Sequence, residues 1–225
     1  MIKLLDHGHC RLVDSMGSDL SIVRAARISY DAEWRAGEDD GKDAKLINYL
    51  LKNHHTSPFE SCSFTFDVKA PIFVLRQWHR HRTWAFNEVS ARYSELPEEF
   101  YLPEVAQITT QSTSNKQMRT DEPHPNGELI QELLQEQNAA AFAGYRLMLN
   151  AGVPRELART VLPVATYSHM FATVNLHNLF KFLQLRLHEH SQYEIRVYAE
   201  AMLKLVEPVV PVAVEAFRRH VLTKG

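Results

Sequence analysis

The spacing of apolar residues changes period along the chain, and this change limits the folds available to it. Phe64, Phe66 and Val68 alternate with polar residues, which predicts a half-buried strand. From position 128 onward the apolar spacing is that of amphipathic helices, so the C-terminal half is predicted to be almost wholly helical. Few strands followed by many helices predict one α+β domain over residues 1–225, in which many helices cover a small antiparallel or mixed sheet.

Local signals predict the remaining elements. Two apolar segments within residues 2–13 predict an N-terminal hairpin, and Asp19 is placed to cap a helix that reaches Ile28. Helical spacing or helix-start signals mark the following segments: 46–51, 72–79, 127–150, 154–161, 175–189, 193–207 and 211–222. The polar stretch 104–127 lacks an apolar period and contains Glu-Pro-His-Pro, so it is predicted to be a mobile surface loop.

The composition argues against several classes of function. The eight glycines form neither a G-x-G-x-x-G nor a Walker-type loop, so a bound nucleotide would be held by side chains and helix ends. The formal net charge of −2 provides no bulk attraction for nucleic acid. No apolar run is long enough to span a bilayer, and the start of the chain lacks the apolar region of a signal peptide. A soluble cytoplasmic protein is therefore expected.

The densest run of chemically active side chains begins with Arg80, His81 and Arg82, at the predicted end of a short helix. Three consecutive cationic or titratable groups repel one another, so they are suited to gripping an anion such as a phosphate. A solvated basic helix end is the simpler interpretation and remains open. Interleaved aromatic rings favour a heterocyclic ligand that carries a phosphate; they are Trp78, Trp84, Phe86 and Tyr93.

Two nearby patterns add polar groups. If the chain is extended after position 87, Glu88, Ser90 and Arg92 point to one face. Arg155 and Arg159 lie one helical turn apart, where they can converge on a phosphate or form an ordinary surface pair.

The segment 175–189 has an apolar stripe that predicts its buried side: Leu176, Leu179, Phe180, Leu183 and Leu187. His177 and Lys181 lie on one flank of this stripe, and Phe182 and Arg186 lie on the other. Two separate flanks suggest contacts with different ligands or subunits, although ordinary polar residues bordering a core helix explain the spacing equally well.

Two other functions compete with nucleotide chemistry. The pairs His79-x-His81 and His188-x-His190 suggest a metal-dependent hydrolase, but the sequence lacks H-E-x-x-H and any zinc-like Cys/His spacing. A nucleic-acid-binding module built on residues 76–92 is opposed by the net charge and by the lack of an extended basic stripe. No metal is therefore expected.

Arg80-His81-Arg82, followed after seven residues by Ser90, resembles the R-H-R-x7-S motif of the flavin-dependent thymidylate synthases. The similarity covers nearly the whole chain except the stretch 104–127, and it includes the segments 18–29, 57–60, 68–73, 152–163 and 175–186. Members of this family often have arginine where His177 stands and asparagine where Lys181 stands.

This resemblance implies a homotetramer of α+β subunits in which several subunits build each active site. It implies that dUMP is methylated to dTMP with 5,10-methylenetetrahydrofolate as carbon donor, FAD as hydride carrier and NADPH as reductant. It also implies that dUMP is bound by Gln77, Trp78, His79, Arg80, Glu88, Val89, Ser90, Ala91, Arg92, Arg159 and Arg186. FAD would be held by Ser57, Arg80, His81, Arg82, Glu88, Asn175, Leu176, His177 and His190, with His55 near the flavin and the folate.

Chemical reasoning about these residues agrees with the resemblance. Methylation at C5 of uracil builds negative charge on the ring, and a fixed guanidinium such as that of Arg186 stabilises this charge, which makes Arg186 the expected catalytic residue. Ser90 has no evident activating partner and is interpreted as a substrate ligand. Cys10 and Cys62 are interpreted as packing residues, so no thiolate attack on the ring is expected.

Overall fold

The computed structural model of the protein describes residues 1–38 and 41–224. Within these ranges a five-stranded antiparallel sheet has the order β1-β2-β3-β7-β4, and two further strands, β5 and β6, form a separate hairpin. The strands are β1 Ile2–Leu4, β2 Gly8–Met16, β3 Ser63–Pro71, β4 Ala85–Glu88, β5 Thr109–Gln111, β6 Arg119–Pro123 and β7 Tyr167–Asn175. The predicted N-terminal hairpin is confirmed as β1 and β2.

Helices pack against this sheet, so the predicted α+β class is confirmed. They are α1 Asp19–Arg27, α2 Lys42–Lys52, α3 Ile72–Trp78, α4 Gly127–Asn150, α5 Arg155–Ala158, α6 Leu176–Arg186, α7 Tyr193–Val206 and α8 Pro211–His220. Short 3-10 helices at Ser57–Ser61 and Arg159–Val161 extend the helical segments. None of the helices in the described ranges is long and apolar enough to cross a membrane.

The main core lies between one face of the sheet and the helices. Phe64, Phe66 and Val68 on β3 are completely buried, as their alternation predicted. The predicted stripe of α6 is buried except for Leu187, which lies just beyond the helix and is partly buried. Phe182, predicted on a polar flank, is completely buried as well. Its ring stacks on that of Trp78 with centroids 4.9 Å apart, because α3 packs where the flank was expected to meet polar groups.

The prediction of an almost wholly helical C-terminal half is wrong at β7. This strand lies between β3 and β4 and pairs with both. Met170, Ala172 and Val174 point into the core, while His169 and Phe171 point to the opposite face. Small and polar residues dilute its alternation, and its strand conformation is set by hydrogen bonds to partners remote in sequence.

The role predicted for Asp19 is also wrong. Ser18, rather than Asp19, is the N-cap residue of α1. The carboxylate of Asp19 instead accepts hydrogen bonds from the backbone N–H groups of Val212 and Ala213, both at 2.9 Å, and so caps the start of α8. Asp19 caps α8 rather than α1 because the starts of these two helices lie close together in the folded chain.

The segment 104–127 is not an irregular loop. It contains a 3-10 turn at Val105–Gln107 and the strands β5 and β6, and its mobility remains a prediction. Arg119 on β6 anchors the hairpin, since its guanidinium donates to the carbonyl of Gln107 and to the carboxylate of Glu194, each at 3.1 Å.

A second, smaller core lies beneath α4. Phe100, Phe142, Tyr145 and Ala158 are buried together there. The helix ends as predicted, with Gly152 in the left-handed region at φ +82° just beyond it. Three leucines of α4 remain exposed on its other side: Leu129, Leu133 and Leu147.

Candidate active site

The Arg80-His81-Arg82 cluster follows directly after α3, as predicted. Arg80 and Arg82 are exposed, and within the described part of the chain neither side chain has a hydrogen-bond or ion-pair partner. His81 is half-buried, with its ring 4.9 Å from that of Phe182 in an edge-to-face arrangement. Two uncompensated guanidinium groups beside a buried ring make this end of α3 suited to an anionic ligand.

Arg186, at the end of α6, lies against the same end of α3. Its Nε donates to His81 Nε2 at 3.1 Å, and its Nη2 donates to the backbone carbonyl of Gln77 at 3.1 Å. Its Nη1 lies 3.4 Å from Gln77 Oε1. The guanidinium is therefore held by all three of its nitrogens, which fixes its plane.

The protonation of His81 is consistent with this arrangement. Burial, together with the charge of Arg186, lowers the pKa of His81 to about 4. The ring is therefore neutral at pH 7, and a neutral ring protonated on Nδ1 can accept the hydrogen bond that Arg186 donates to Nε2. Burial also lowers the pKa of Arg186, but a guanidinium remains charged at physiological pH.

Glu88, at the end of β4, lies near His79. Its Oε1 accepts a hydrogen bond from Ser168 Oγ at 2.5 Å, and its Oε2 lies 3.9 Å from His79 Nε2. Ser168 comes from β7 and was not predicted as part of the site. The sequence did not indicate a role for Ser168, because β7 itself was not recognised as a strand.

The chain is not extended from Glu88 to Arg92, because it turns after position 90. The N–H groups of Tyr93 and Ser94 donate to the carbonyl of Ser90, and the N–H of Arg92 donates to its Oγ at 3.3 Å. The backbone therefore forms a turn where a shared extended face was predicted. The side chain of Ala91 is buried in this turn. The N–H of Val89 donates to the carbonyl of His169 at 2.8 Å and ties the turn to the sheet.

The two arginines of the 155–159 segment do not converge. Arg155 pairs with Glu95 at 3.3 Å, whereas Arg159 is exposed at the start of the following 3-10 helix. Arg92 reaches the same segment, with its Nε 3.6 Å from Glu156 Oε2. The Ser90 turn and Arg159 therefore belong to adjoining surfaces.

Two predicted ligands have side chains that belong to the core. Trp78 and Leu176 are both completely buried, so only their backbone atoms are available to a ligand. Trp84 is 7% exposed and also packs inside. The aromatic residues interleaved with the arginines are thus mainly core residues, and their spacing was misinterpreted as a ring-binding surface.

One of the predicted flavin residues on α6, His177, borders a cavity of about 620 Å³. His177 and Lys181 line it, and burial together with Lys181 lowers the pKa of His177. Asn175 caps α6 through a 2.9 Å hydrogen bond from Asn178 N–H, and the 3-10 helix that begins at Ser57 packs beside it. The lining combines apolar side chains such as Phe180 and Phe217 with Lys181 and several histidines, which fits a large ring system with an anionic group.

His190 lines a different cavity, of about 510 Å³, between the hairpin and the start of α7. His55 lies on the helical side of the molecule, where its ring meets that of Tyr49 at 5.8 Å. Within one subunit the predicted residues therefore form separate clusters rather than one closed pocket.

The histidine pairs that suggested a hydrolase do not form a metal centre. Among the described residues, the one group of suitable geometry is His9, Asp67 and His169 on the outer face of the sheet. Both histidines lie within 3.0 Å of Asp67 Oδ1, and Arg11 occupies Oδ2 at 2.6 Å. Burial would raise the pKa of Asp67, but these hydrogen bonds lower it to about 2, as in a structural ion-pair network.

Comparisons with known proteins identify the family to which this chain belongs. Residues 11–212 match the family described as thymidylate synthase complementing protein. A flavin-dependent thymidylate synthase of Treponema denticola is 49% identical over 97% of this chain and 82% of its own length. One from Rickettsia conorii is 46% identical over 97% of this chain and 78% of its own length.

A solved structure shows the same fold. It is a UMP/dUMP methylase, PolB from Streptomyces cacaoi, bound with 5-Br dUMP, and it superposes with a TM-score of 0.88 at 38% identity, covering 98% of each chain. A second structure of that methylase is bound with 5-Br UMP, with a TM-score of 0.87. The chain therefore belongs to the thymidylate synthase complementing protein family and is an enzyme of the flavin-dependent thymidylate synthase type.

Proposed function

We propose that this enzyme converts dUMP to dTMP, with 5,10-methylenetetrahydrofolate as carbon donor, FAD as hydride carrier and NADPH as reductant. The observation that carries the proposal is the guanidinium of Arg186, which is held by three contacts to His81 and Gln77. It lies at the same end of α3 as Arg80 and Arg82, which have no side-chain partner among the described residues. Fixed cations at one end of α3 suit a nucleotide that carries both a phosphate and a ring on which charge develops.

The chain's own residues have separate tasks in this reaction. Arg186 stabilises the negative charge that builds on the uracil ring before C5 attacks the transferred carbon. The neutral ring of His81 holds the guanidinium without competing with the substrate for its charge. Ser90 positions dUMP by hydrogen bonding, since no base lies within hydrogen-bond distance of its Oγ among the described residues.

A thiolate mechanism is disfavoured by the environment of both cysteines. Cys10 and Cys62 are completely buried, and burial raises the pKa of their thiols to about 12 and about 11. His9 and Arg11 flank Cys10 in sequence, but they point to the opposite face of β2 and contact Asp67. Activation of the ring therefore falls to the guanidinium.

The cofactor residues fit a flavin dinucleotide in their donor chemistry. Arg80, Arg82 and Lys181 offer cationic donors, and apolar side chains form part of the lining of the cavity beside His177. Bound FAD would supply the hydride that reduces the transferred carbon to a methyl group. The residues proposed to hold it are Ser57, Arg80, His81, Arg82, Glu88, Asn175, Leu176 through its backbone, His177 and His190.

A homotetramer in the cytoplasm completes the proposal. It is supported by the separation of the site residues into clusters within one subunit and by the exposed leucines of α4. Partners other than small-molecule substrates and further copies of the chain are not proposed.

The test is direct synthesis of dTMP. The purified protein, supplied with FAD, NADPH, 5,10-methylenetetrahydrofolate and dUMP, should form dTMP and oxidise NADPH faster than without dUMP. UMP is assayed in parallel, since the methylase from Streptomyces cacaoi was crystallised with analogues of both nucleotides. A protein that neither binds FAD nor forms a methylated nucleotide would overturn the proposal, and a preference for UMP would change its substrate.

A further inference from the structure

The hydrogen bonds of Gln77 continue away from Arg186 into the protein. Gln77 Nε2 donates to Gln192 Oε1 at 2.5 Å, and Gln192 Nε2 donates to Glu194 Oε2 at 2.8 Å. On the other side, Gln77 Oε1 accepts from Arg186 Nη1 at 3.4 Å. Four side chains from α3, α6 and the start of α7 therefore form one row.

The two ends of this row determine the orientation of both amides. A guanidinium can only donate hydrogen bonds and a carboxylate can only accept them. Gln192 must turn its NH₂ toward Glu194, which leaves its oxygen for the NH₂ of Gln77. Gln77 then presents its oxygen to Arg186. Reversing either amide would bring two donors or two acceptors together.

Glu194 is held firmly enough to set this orientation. It is 3% exposed, and its second oxygen, Oε1, accepts from the hydroxyl of Tyr101 and from Arg119 Nη2, both at 3.1 Å. Burial, together with Glu194, raises the pKa of Tyr101, so the phenol remains a donor. Oε1 is thus occupied by donors from two other segments, and Oε2 is left to Gln192.

We propose that Glu194 and Gln192 are positioning residues that orient the Gln77 amide and, through it, the guanidinium of Arg186. Neither residue is proposed to touch the reacting atoms. The inference rests on the proposed function, because it takes Gln77 and Arg186 as part of the dUMP site. The first-turn acid of α7 looked like an ordinary helix-start residue in the sequence, so no pattern indicated this role.

The variant Glu194→Gln tests the donor-to-acceptor direction of the hydrogen bonds in the row, and it keeps the volume of the side chain nearly unchanged. Tyr101 and Arg119 retain the oxygen of the new amide, so its NH₂ faces the NH₂ of Gln192. Both amides downstream must then turn, and Gln77 presents a donor to Arg186. We expect kcat for dTMP formation to fall roughly tenfold to a hundredfold, since a hydrogen bond to a charged group is lost.

The exchange Gln192→Glu with Glu194→Gln should restore activity. In the double variant the amide at 194 donates to the carboxylate at 192, which again accepts from Gln77 Nε2. Gln192→Glu alone sets two carboxylates against each other and should be impaired. We expect the double variant to recover to within about threefold of the wild type, because each change compensates the other.

Two further measurements separate positioning from stability. Tyr101→Phe removes a donor to Glu194 but leaves the row intact, so it should lower the melting temperature while kcat stays near wild type. Titration of His81 by NMR reads the position of Arg186 without turnover: its pKa should rise in Glu194→Gln and return in the double variant. If Glu194→Gln does not fold, Gln192→Met breaks the row at an exposed position and leaves the Gln77 amide without its orienting partner, so kcat should fall and the pKa of His81 should rise, each by less than in a reversed row.

The outcomes are distinguishable. A folded double variant as impaired as the single variants, with an unchanged His81 titration throughout, would overturn the positioning role. A wild-type protein that forms no dTMP would instead refute the proposed function, and the His81 titration would still report whether the row positions Arg186.

Discussion

Arg186 and Ser90 contribute to the proposed reaction in different ways, and single substitutions should separate them. Arg186→Lys keeps the charge but replaces three fixed nitrogens with one, so the contacts to His81 and Gln77 cannot all be kept. Loss of a preorganised charge partner typically costs about a hundredfold or more in kcat. Ser90→Ala loses one neutral hydrogen bond, which costs about 0.5–1.5 kcal/mol, or up to roughly tenfold.

These two variants are compared by dTMP formation at saturating dUMP in FAD-replete protein. The Ser90→Ala defect should appear mainly in the affinity for dUMP. If Ser90→Ala is inactive while Arg186→Lys works nearly normally, the two roles are reversed.

The cysteines should be dispensable for turnover. Both thiols are protonated at neutral pH because burial raises their pKa, and neither contacts the Arg186 cluster. Cys10→Ala with Cys62→Ala should retain kcat while losing about 1 kcal/mol of stability per site, as small core truncations do. Calorimetry provides the stability, and loss of turnover in a folded, FAD-replete double variant would show that a thiol takes part.

At the scale of elements, the tip of the β5–β6 hairpin should be dispensable for stability, whereas Arg119, which holds the hairpin to Glu194, should be required. Replacing residues 112–118 with Asn-Gly keeps both strands and supplies a two-residue turn, so the melting temperature should hardly change. Arg119→Met leaves buried Glu194 without its cation. The cost should lie below the about 3–5 kcal/mol of a fully buried pair, because Arg119 is one-third exposed.

Both variants are compared with the wild type by calorimetry and by binding of added FAD. An unfolded Asn-Gly variant would mean that the hairpin tip is structural. An Arg119→Met variant that melts like the wild type would mean that Glu194 is satisfied by Tyr101 and Gln192 alone.

Elements with their own apolar stripe were predictable from sequence, and those defined by partners were not. α2 and α6 each carry an apolar stripe that is visible within their own sequence, and both helices were predicted. β7 depends on hydrogen bonds to β3 and β4, and its short, partly polar alternation did not reveal it. The cap from Asp19 to α8 likewise joins residues nearly a full chain length apart.

The candidate site shows the same division. The Arg80-His81-Arg82 cluster and Arg186 could be proposed because their residue types and motif carry chemical meaning. Their contact, and the contributions of Ser168, Gln192 and Glu194, arise from the topology of the folded chain. The ring of Trp78 was expected to face a ligand but lies in the core, because an aromatic residue beside arginines has the same sequence signature in both cases.

At the scale of the whole molecule, the exposed face of α4 should be covered by further subunits. Leu129, Leu133 and Leu147 are 64%, 53% and 70% exposed on one side of the helix. Light scattering should give four times the 25.9 kDa subunit mass. Leu133→Glu should dissociate the assembly and lower dTMP formation, whereas the neighbouring exposed control Glu132→Gln should do neither.

A monomeric wild type with full activity would contradict shared active sites. A Leu133→Glu variant that remains tetrameric would show that this face lies outside the subunit contacts.

The central position of β7 has a consequence for how the protein is made. Thr65 on β3 hydrogen-bonds Thr173 on β7 at 2.9 Å, although the two stand 108 positions apart. A ribosome must therefore complete most of the chain before the middle of the sheet can close. Until then β3 presents an unpaired edge and the aromatic face of Phe64 and Phe66 to solvent. Folding should therefore be slow and largely post-synthetic. The chain should depend most on chaperones before β7 pairs with β3.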